Sequence, residues 1–130
     1  MPVDGYRFWS DGTRVLGDTK TWRGLVAGVV VPALVAPMLG CGLVLGAAVG
    51  ALALIGDLLS SFVKRRLGYL SSDMALGLDQ VPESLIPALV LGGRFGLEWG
   101  DVPLVSIAFL LLGLMLSALL YLVGVRQRPY

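Results

Sequence analysis

No charged residue interrupts positions 24–56 of this chain. An uncharged run of that length exceeds the roughly 20 residues that cross a bilayer, so it predicts membrane-spanning helices. A tight uncharged turn at residues 38–42 (MLGCG) divides the run. The first span is therefore expected over residues 24–39 and the second over 42–63, with its helix projecting out to Arg66. Pro32 inside the first span frees the carbonyl of Gly28 from its helical bond, which predicts a bend. Residues 68–80 read as a polar loop containing Gly68, Ser71, Ser72 and Gly77. A third, short span is expected over 81–97, where Pro82 suits the first helical turn and Pro87 interrupts the next. Residues 102–125 carry no charge and read as a scaffold span. Ahead of the spans, residues 1–23 form a polar arm with turn signals at Asp11-Gly12 and Gly17-Asp18. The expected fold is one domain over 1–130: an all-α integral membrane protein of about four transmembrane helices. A polar cytoplasmic N-terminal arm precedes them, and a cytoplasmic loop joins helices 2 and 3.

Gly42, Gly46 and Gly50 repeat at four-residue spacing, which predicts a small-residue groove for close helix packing. The short third span carries Glu83, and a Pro-kinked span bearing an acid reads as the lining of a cavity. Orientation comes from the basic residues. With four spans, Arg7, Arg14, Lys20 and Arg23 of the arm, Lys64, Arg65 and Arg66, and Arg126 and Arg128 of the tail share one side. The other side holds the bare turn at residues 40–42 and a loop with Arg94 against Glu98 and Asp101. The positive-inside rule makes the rich side cytoplasmic, with the protein in the plasma (inner) membrane.

Composition agrees: 56% of residues are hydrophobic, and mean hydropathy is +0.83. The formal net charge of +1 says less than the segregation of the charges. The opening twenty or so residues are polar, so no signal peptide is seen. Cys41 is the only cysteine, which rules out an intrachain disulfide. The absence of histidine removes the commonest general base and zinc sites of the Cys/His kind. Any metal must then be held by oxygen, which favours Mg²⁺ or Mn²⁺.

Asp57 closes the long apolar run. A carboxylate there is costly unless it faces a cation or a polar cavity, which makes it a functional candidate. Its bland alternative is a bond to a neighbouring helix. Spacing of i, i+4 and i+7 stacks Asp57, Ser61 and Lys64 on one helical face, with Arg65 and Arg66 at the mouth. The three basic residues equally fit the positive flank that anchors a span, and Trp22 and Arg23 fit an aromatic belt and its cationic anchor. The close grouping of Asp18, Lys20 and Thr21 is not explained that way. Gathered on the cytoplasmic side are Asp18, Lys20, Thr21, Arg23, Asp57, Ser60, Ser61, Lys64, Arg65, Asp79, Gln80 and Glu83. Carboxylates from separate segments beside several cations suit nucleotidyl transfer. The acids hold metal ions at the α-phosphate and the departing pyrophosphate, and Lys and Arg neutralise the spread charge. Nothing matches GxxxxGK[ST], so a P-loop nucleotide hydrolase is not indicated.

GDLLSSFVKRR at residues 56–66, GLDQ at 77–80 and GDTKTWRG at 17–24 together resemble the CDP-archaeol synthases and, more distantly, the CDP-diacylglycerol synthases. The shared signature is Ser-x-x-Lys-Arg, a loop, then Asp-(Arg/Gln). It falls here on Ser61, Lys64 and Arg65, then on Asp79 and Gln80, with Gly56-Asp57 as the preceding Gly-Asp. The resemblance covers essentially the whole chain in motif order. It implies a membrane cytidylyltransferase that converts CTP and a lipid phosphate into a CDP-lipid and pyrophosphate with Mg²⁺. It also implies catalytic Asp57, Asp79 and Lys64, and metal ligation by Asp57, Asp79, Glu83 and Asp18. Lys20, Thr21, Arg23, Ser61, Lys64, Arg65 and Gln80 would bind the nucleotide. Two departures stand out: Pro82 occupies the place of a further acid, which Glu83 would supply one position later, and the archaeal members have an extra hydrophobic helix before the arm.

Two other classes fit parts of the pattern. A non-catalytic or truncated membrane scaffold would tolerate neutral replacement of the acids. A small transporter would spread polar groups across the membrane depth, whereas these crowd at one side. The expected partners are CTP, a lipid phosphate and the membrane, with no nucleic acid and with homo-oligomerisation left open. The kinked spans bearing Pro32 and Pro87 are the expected walls of a lateral lipid opening.

Overall fold

The computed structural model describes residues 1–17, 19–69 and 77–124. Its helices are α1 (Trp22–Val35), α2 (Leu43–Arg66), α3 (Gln80–Leu91) and α4 (Asp101–Leu122). Each packs on the next in chain order, α1 on α2, α2 on α3 and α3 on α4. A 3₁₀ turn, Ala36–Leu39, extends α1, and another, Gly92–Phe95, extends α3.

Three segments are long and apolar enough to cross a membrane: Trp22–Leu39, Leu43–Arg66 and Asp101–Leu122. The third expected span is shorter than its 81–97 pattern, because the α-helix stops after 12 residues. That helix rises about 18 Å at 1.5 Å per residue, and its four-residue 3₁₀ extension adds about 8 Å. Together they fall short of a roughly 30 Å hydrocarbon core. The cause is local: α3 runs through Pro87 to Leu91, and Gly92-Gly93 remove the propensity to continue it.

The two hairpins are built alike. In each, a Pro-containing helix tightens into a 3₁₀ turn and ends on a left-handed glycine, Gly40 (φ 80°) or Gly96 (φ 71°). The next N–H then reaches back to the start of the turn: Cys41 to the Ala36 carbonyl at 2.8 Å, and Leu97 to the Gly92 carbonyl at 2.9 Å. These bonds satisfy carbonyls the helix end leaves open, and glycine adopts that conformation without steric cost.

The buried apolar side chains among the described residues are small: Ala33, Ala36, Ala88 and Val102. Leucine and valine side chains instead cover the outer faces, as at Leu34, Val90 and Leu112. That inversion suits helices that associate in lipid, where close backbone approach replaces hydrophobic burial. A Cβ on Gly46 would collide with the Pro32 carbonyl oxygen, and one on Gly50 with the Gly28 carbonyl oxygen. The expected groove therefore exists at these two positions. Gly42 does not belong to it: nothing lies within 4 Å of its Cβ position, because it is the extended N-cap of α2. Gly56 instead forms a further close approach, where a Cβ would collide with the Pro82 carbonyl and lie 2.7 Å from the Glu83 nitrogen.

All the atoms facing Gly56 are backbone, so α2 and α3 must separate to admit a methyl group. Gly56→Ala is expected to destabilise the fold by about 1–3 kcal/mol through overpacking, whereas Gly42→Ala should stay within about 0.5 kcal/mol. Thermal unfolding of both variants in detergent checks this; equal midpoints would contradict the contact.

Candidate active site at the basic end of the bundle

The ends of α1 and α3 where their chains enter, and the end where α2 leaves, lie together, opposite the two glycine turns. Here the arm folds back on itself. Val3 N–H donates to the Lys20 carbonyl at 2.7 Å, and isolated bridges join Pro2 to Thr21 and Phe8 to Arg14. Asp4 is the hub. Its buried carboxylate accepts from Arg14 Nη2 at 2.7 Å, Leu16 N–H at 3.3 Å, Gly17 N–H at 3.2 Å and Tyr6 N–H at 3.2 Å. The Arg14 guanidinium also lies 4.7 Å from the Tyr6 ring centroid. The stretch leading to Lys20 is thereby held in place.

Lys20 Nζ reaches both carboxylate oxygens of Asp57 at 2.6 Å. This is the cation that makes an acid tolerable inside a largely apolar helix. One to two turns further along α2, Lys64 Nζ lies 2.8 Å from Asp79 Oδ1 and 3.0 Å from Oδ2. Ser60, Ser61, Lys64 and Arg65 are all buried. Ser60 Oγ donates to the Asp57 carbonyl at 2.9 Å, and Arg65 Nη1 donates to the Tyr69 carbonyl. Three cations in the last turn of α2 also oppose the partial negative charge of a helix C-terminus.

Across the α2–α3 contact, Glu83 lies within Coulombic reach of Asp57, Lys20 and Asp79. Among the described residues no three acidic or sulfur ligands group tightly enough to hold an ion by themselves. Magnesium does not need such a cage, since one or two carboxylates plus substrate phosphates commonly suffice. Hard oxygen donors on α2 and at the start of α3 fit that requirement.

Several expected site residues are thus brought together: Lys20, Asp57, Ser61, Lys64, Arg65, Asp79 and Glu83. Gln80 is close but turned to structure, its Oε1 accepting from Gly77 N–H at 3.2 Å and its stem packing by Gly113 of α4. Thr21 is the N-cap of α1 and accepts from Gly24 N–H at 3.2 Å. Arg23 is not drawn into the cluster; it shares an open surface hollow with Trp22, Val26 and Val30. Asp18 lies outside the described residues, as do Ser71, Ser72, Arg126 and Arg128. What the sequence reading missed is the second anchor of the arm. Arg66 donates to Asp11 at 2.5 Å, to Thr13 Oγ1 at 2.6 Å and to the Arg14 carbonyl at 3.1 Å. The run of aromatics Tyr6, Phe8 and Trp9 in a largely polar arm was the available signal.

Below the cluster lies an apolar cavity of 320 Å³ between α2, α3 and α4, with Glu83 and Ser84 as its polar residues and Pro87 in its wall. A second cavity of 210 Å³ lies by Pro32 and shares Val49 and Phe95 with the first.

A helical bundle with three membrane-length helices among the described residues defines an integral membrane protein. A solved structure of an intramembrane enzyme for archaeal membrane lipids biosynthesis superposes with a TM-score of 0.73 at 35% identity, covering 89% of this chain and 78% of that one. The sequence model of the CarS-like CDP-archaeol synthases matches residues 1–45 and 38–130. The chain belongs to the CDP-archaeol synthase family. The CDP-archaeol synthase of Methanosphaerula palustris is 37% identical over 155 aligned positions, covering 99% of this chain and 89% of the relative. That alignment is longer than the 130-residue chain, so the relative carries additional residues within the matched span. The Thermococcus onnurineus relative is 43% identical over 91 residues, 62% of this chain and 54% of its own length. The chain thus spans about half the length of the Thermococcus relatives it matches.

The arm is predicted to be acid-labile. Burial raises the Asp4 carboxyl, but Arg14 and the three backbone N–H donors outweigh it and hold the group below its ordinary 3.8. Asp11 is lowered too, chiefly by the Thr13 N–H and also by Arg66. A carboxylate whose folded value is depressed stabilises fully above its unfolded value and loses that contribution as pH falls through the folded one. The fluorescence of a variant retaining only Trp9 should therefore change below about pH 3.8 while helical circular dichroism persists. A flat signal down to about pH 2 would refute it.

Proposed function

We propose that this chain transfers the cytidylyl group of CTP to a membrane lipid phosphate of the archaetidic or phosphatidic acid type, releasing pyrophosphate. The observation that carries this reading is the pair of lysine–aspartate contacts, Lys20–Asp57 and Lys64–Asp79, one helical turn from Ala53 and Glu83 in the lining of an apolar cavity. Its support from kinship is membership of the CDP-archaeol synthase family. Residues 1–130 act as one membrane-embedded cytidylyltransferase domain. Four helices traverse the plasma (inner) membrane, α3 with its 3₁₀ extension being the short one. The basic end faces the cytoplasm by the positive-inside rule.

In this reading Lys20, Lys64 and Arg65 receive the triphosphate beside Ser61, whereas Thr21 and Gln80 act by holding the local backbone and Arg23, outside the cluster, has no place among the nucleotide contacts. Asp57 and Asp79, with Glu83 and Asp18, would hold Mg²⁺ through their carboxylate oxygens. When bound, the ion supplies neutralisation of charge on the α-phosphate and the pyrophosphate. A lipid phosphate oxygen forms the new bond to the α-phosphorus of CTP as the bond to the pyrophosphate oxygen breaks. The attacking group is already an anion, so placement matters more than a general base. The lipid chains remain in the bilayer, entering along the hollows beside Pro32 and Pro87, which converge near Val49 and Phe95. Glu83 and Ser84 then mark the depth at which the apolar tail gives way to the phosphate.

Asp57→Asn and Asp79→Asn each remove charge at nearly constant shape. Both should abolish CTP-dependent conversion of archaetidic acid while the helical fold persists, with a lowered melting temperature because Lys20 or Lys64 loses its counter-charge. Turnover near normal in both variants would end the assignment. Lys64→Ala should weaken CTP binding and lower the rate by about one to two orders of magnitude, the scale of a lost preorganised charge contact. Unchanged CTP titrations would return Lys64 to a membrane-anchoring role.

A further inference from the structure

We infer that Arg66, the last residue of α2, is a positioning residue that clamps the arm to the bundle and thereby holds Lys20 at Asp57. The inference rests on the assignment of Lys20 to the triphosphate. The geometry of the clamp stands apart from it. The guanidinium of Arg66 uses its two terminal nitrogens for three acceptors of the arm: Nη1 for the Asp11 carboxylate, Nη2 for Thr13 Oγ1 and the Arg14 carbonyl. Its plane also lies 5.1 Å from the Phe62 ring centroid and 5.7 Å from that of Trp9, and these rings meet edge-on at 5.5 Å. Phe62 lies one turn back on α2, so helix, cation and arm form one stacked unit. Membrane anchoring would require none of these contacts, only an exposed charge.

The clamp connects to Lys20 through the arm. Arg14, whose carbonyl Arg66 holds, pairs with Asp4. Asp4 fixes the N–H groups of Leu16 and Gly17 just ahead of Lys20. Val3, beside Asp4, bonds the Lys20 carbonyl itself. A rigid path thus runs from the end of α2 to the ammonium that neutralises Asp57. Lysine cannot replace Arg66 here, because one ammonium on a flexible stem does not span a fork of acceptors or offer a planar cation to the neighbouring rings.

The test compares Arg66→Ala, Arg66→Lys, Lys20→Ala and the Arg66→Ala/Lys20→Ala double variant of the full chain in detergent. CTP is varied at fixed archaetidic acid, and trypsin cleavage at Arg7 and Arg14 reports arm docking without reference to activity. The expected result is faster cleavage in both Arg66 variants, with KM for CTP raised about tenfold and kcat changed far less, as for a misplaced binding group. Adding Arg66→Ala to Lys20→Ala should cost almost nothing more in KM. Thr13→Val, which leaves α2 untouched, should reproduce part of the cleavage and KM effects, separating undocking from a damaged helix. Additive effects on KM, an Arg66→Lys protein that behaves like the parent, or unaltered cleavage would overturn the clamp. If the Arg66 variants free the arm but Lys20→Ala leaves CTP kinetics unchanged, the clamp stands and the nucleotide role of Lys20 falls.

Discussion

A carboxylate inside a largely apolar helix is costly unless a cation neutralises it, and here that cation comes from a different part of the chain. Asp57 terminates an uncharged stretch of α2, and Lys20 from the arm contacts both of its oxygens. Placing an acid at the centre of a membrane helix costs about 3 kcal/mol by insertion scales, and removing one partner of a desolvated pair leaves the other charge exposed to the same cost. The pair therefore couples the arm to the bundle. Everything that fixes Lys20, from the Asp4 hub to the bond between Val3 and the Lys20 carbonyl, serves the energetics of Asp57 as well.

The second pair obeys the same logic at a different point. Lys64 is buried on the last turn of α2, where the helix terminus favours positive charge. Asp79 approaches it from the residue that precedes α3. The close backbone contact at Gly56 brings α3 into range, so a glycine with no chemistry of its own sets the distance between the acids on α2 and α3. Packing and electrostatics are thereby joined: the helices approach through small residues because lipid offers no hydrophobic drive to press them together, and the approach gathers the charges.

The site also lies at a boundary of polarity. Ion pairs occupy the mouth, while an apolar cavity begins within one turn of them, at Glu83, Ser84 and Ala53. Such an arrangement suits joining a water-soluble anion to an acceptor whose chains never leave the bilayer. The prolines within α1 and α3 contribute to this shape. Both Pro32 and Pro87 line hollows, since a helix whose surface changes direction cannot pack uniformly along its length.

The sequence by itself determined the helices and the cluster of candidate groups, because hydropathy, proline and glycine act locally. The uncharged run to Gly56, the turn at Gly40 and the spacing of Asp57, Ser61 and Lys64 needed no tertiary information. The ends of α1, α2 and α4 fall within four residues of the expected bounds. The third segment was the exception, since an apolar pattern over 81–97 does not register where Gly92-Gly93 end the α-helix. Only the tertiary structure decided the pairings. Sequence spacing cannot say that Lys20 meets Asp57 and not Asp79, that Gly56 belongs to the packing groove while Gly42 does not, or that Arg23 turns outward. Nor could it find the Arg66 clamp, whose partners lie more than fifty residues away in a stretch with no helical or strand periodicity. Those choices are made by the closing of the arm over the bundle, and so by contacts that exist only once both have folded.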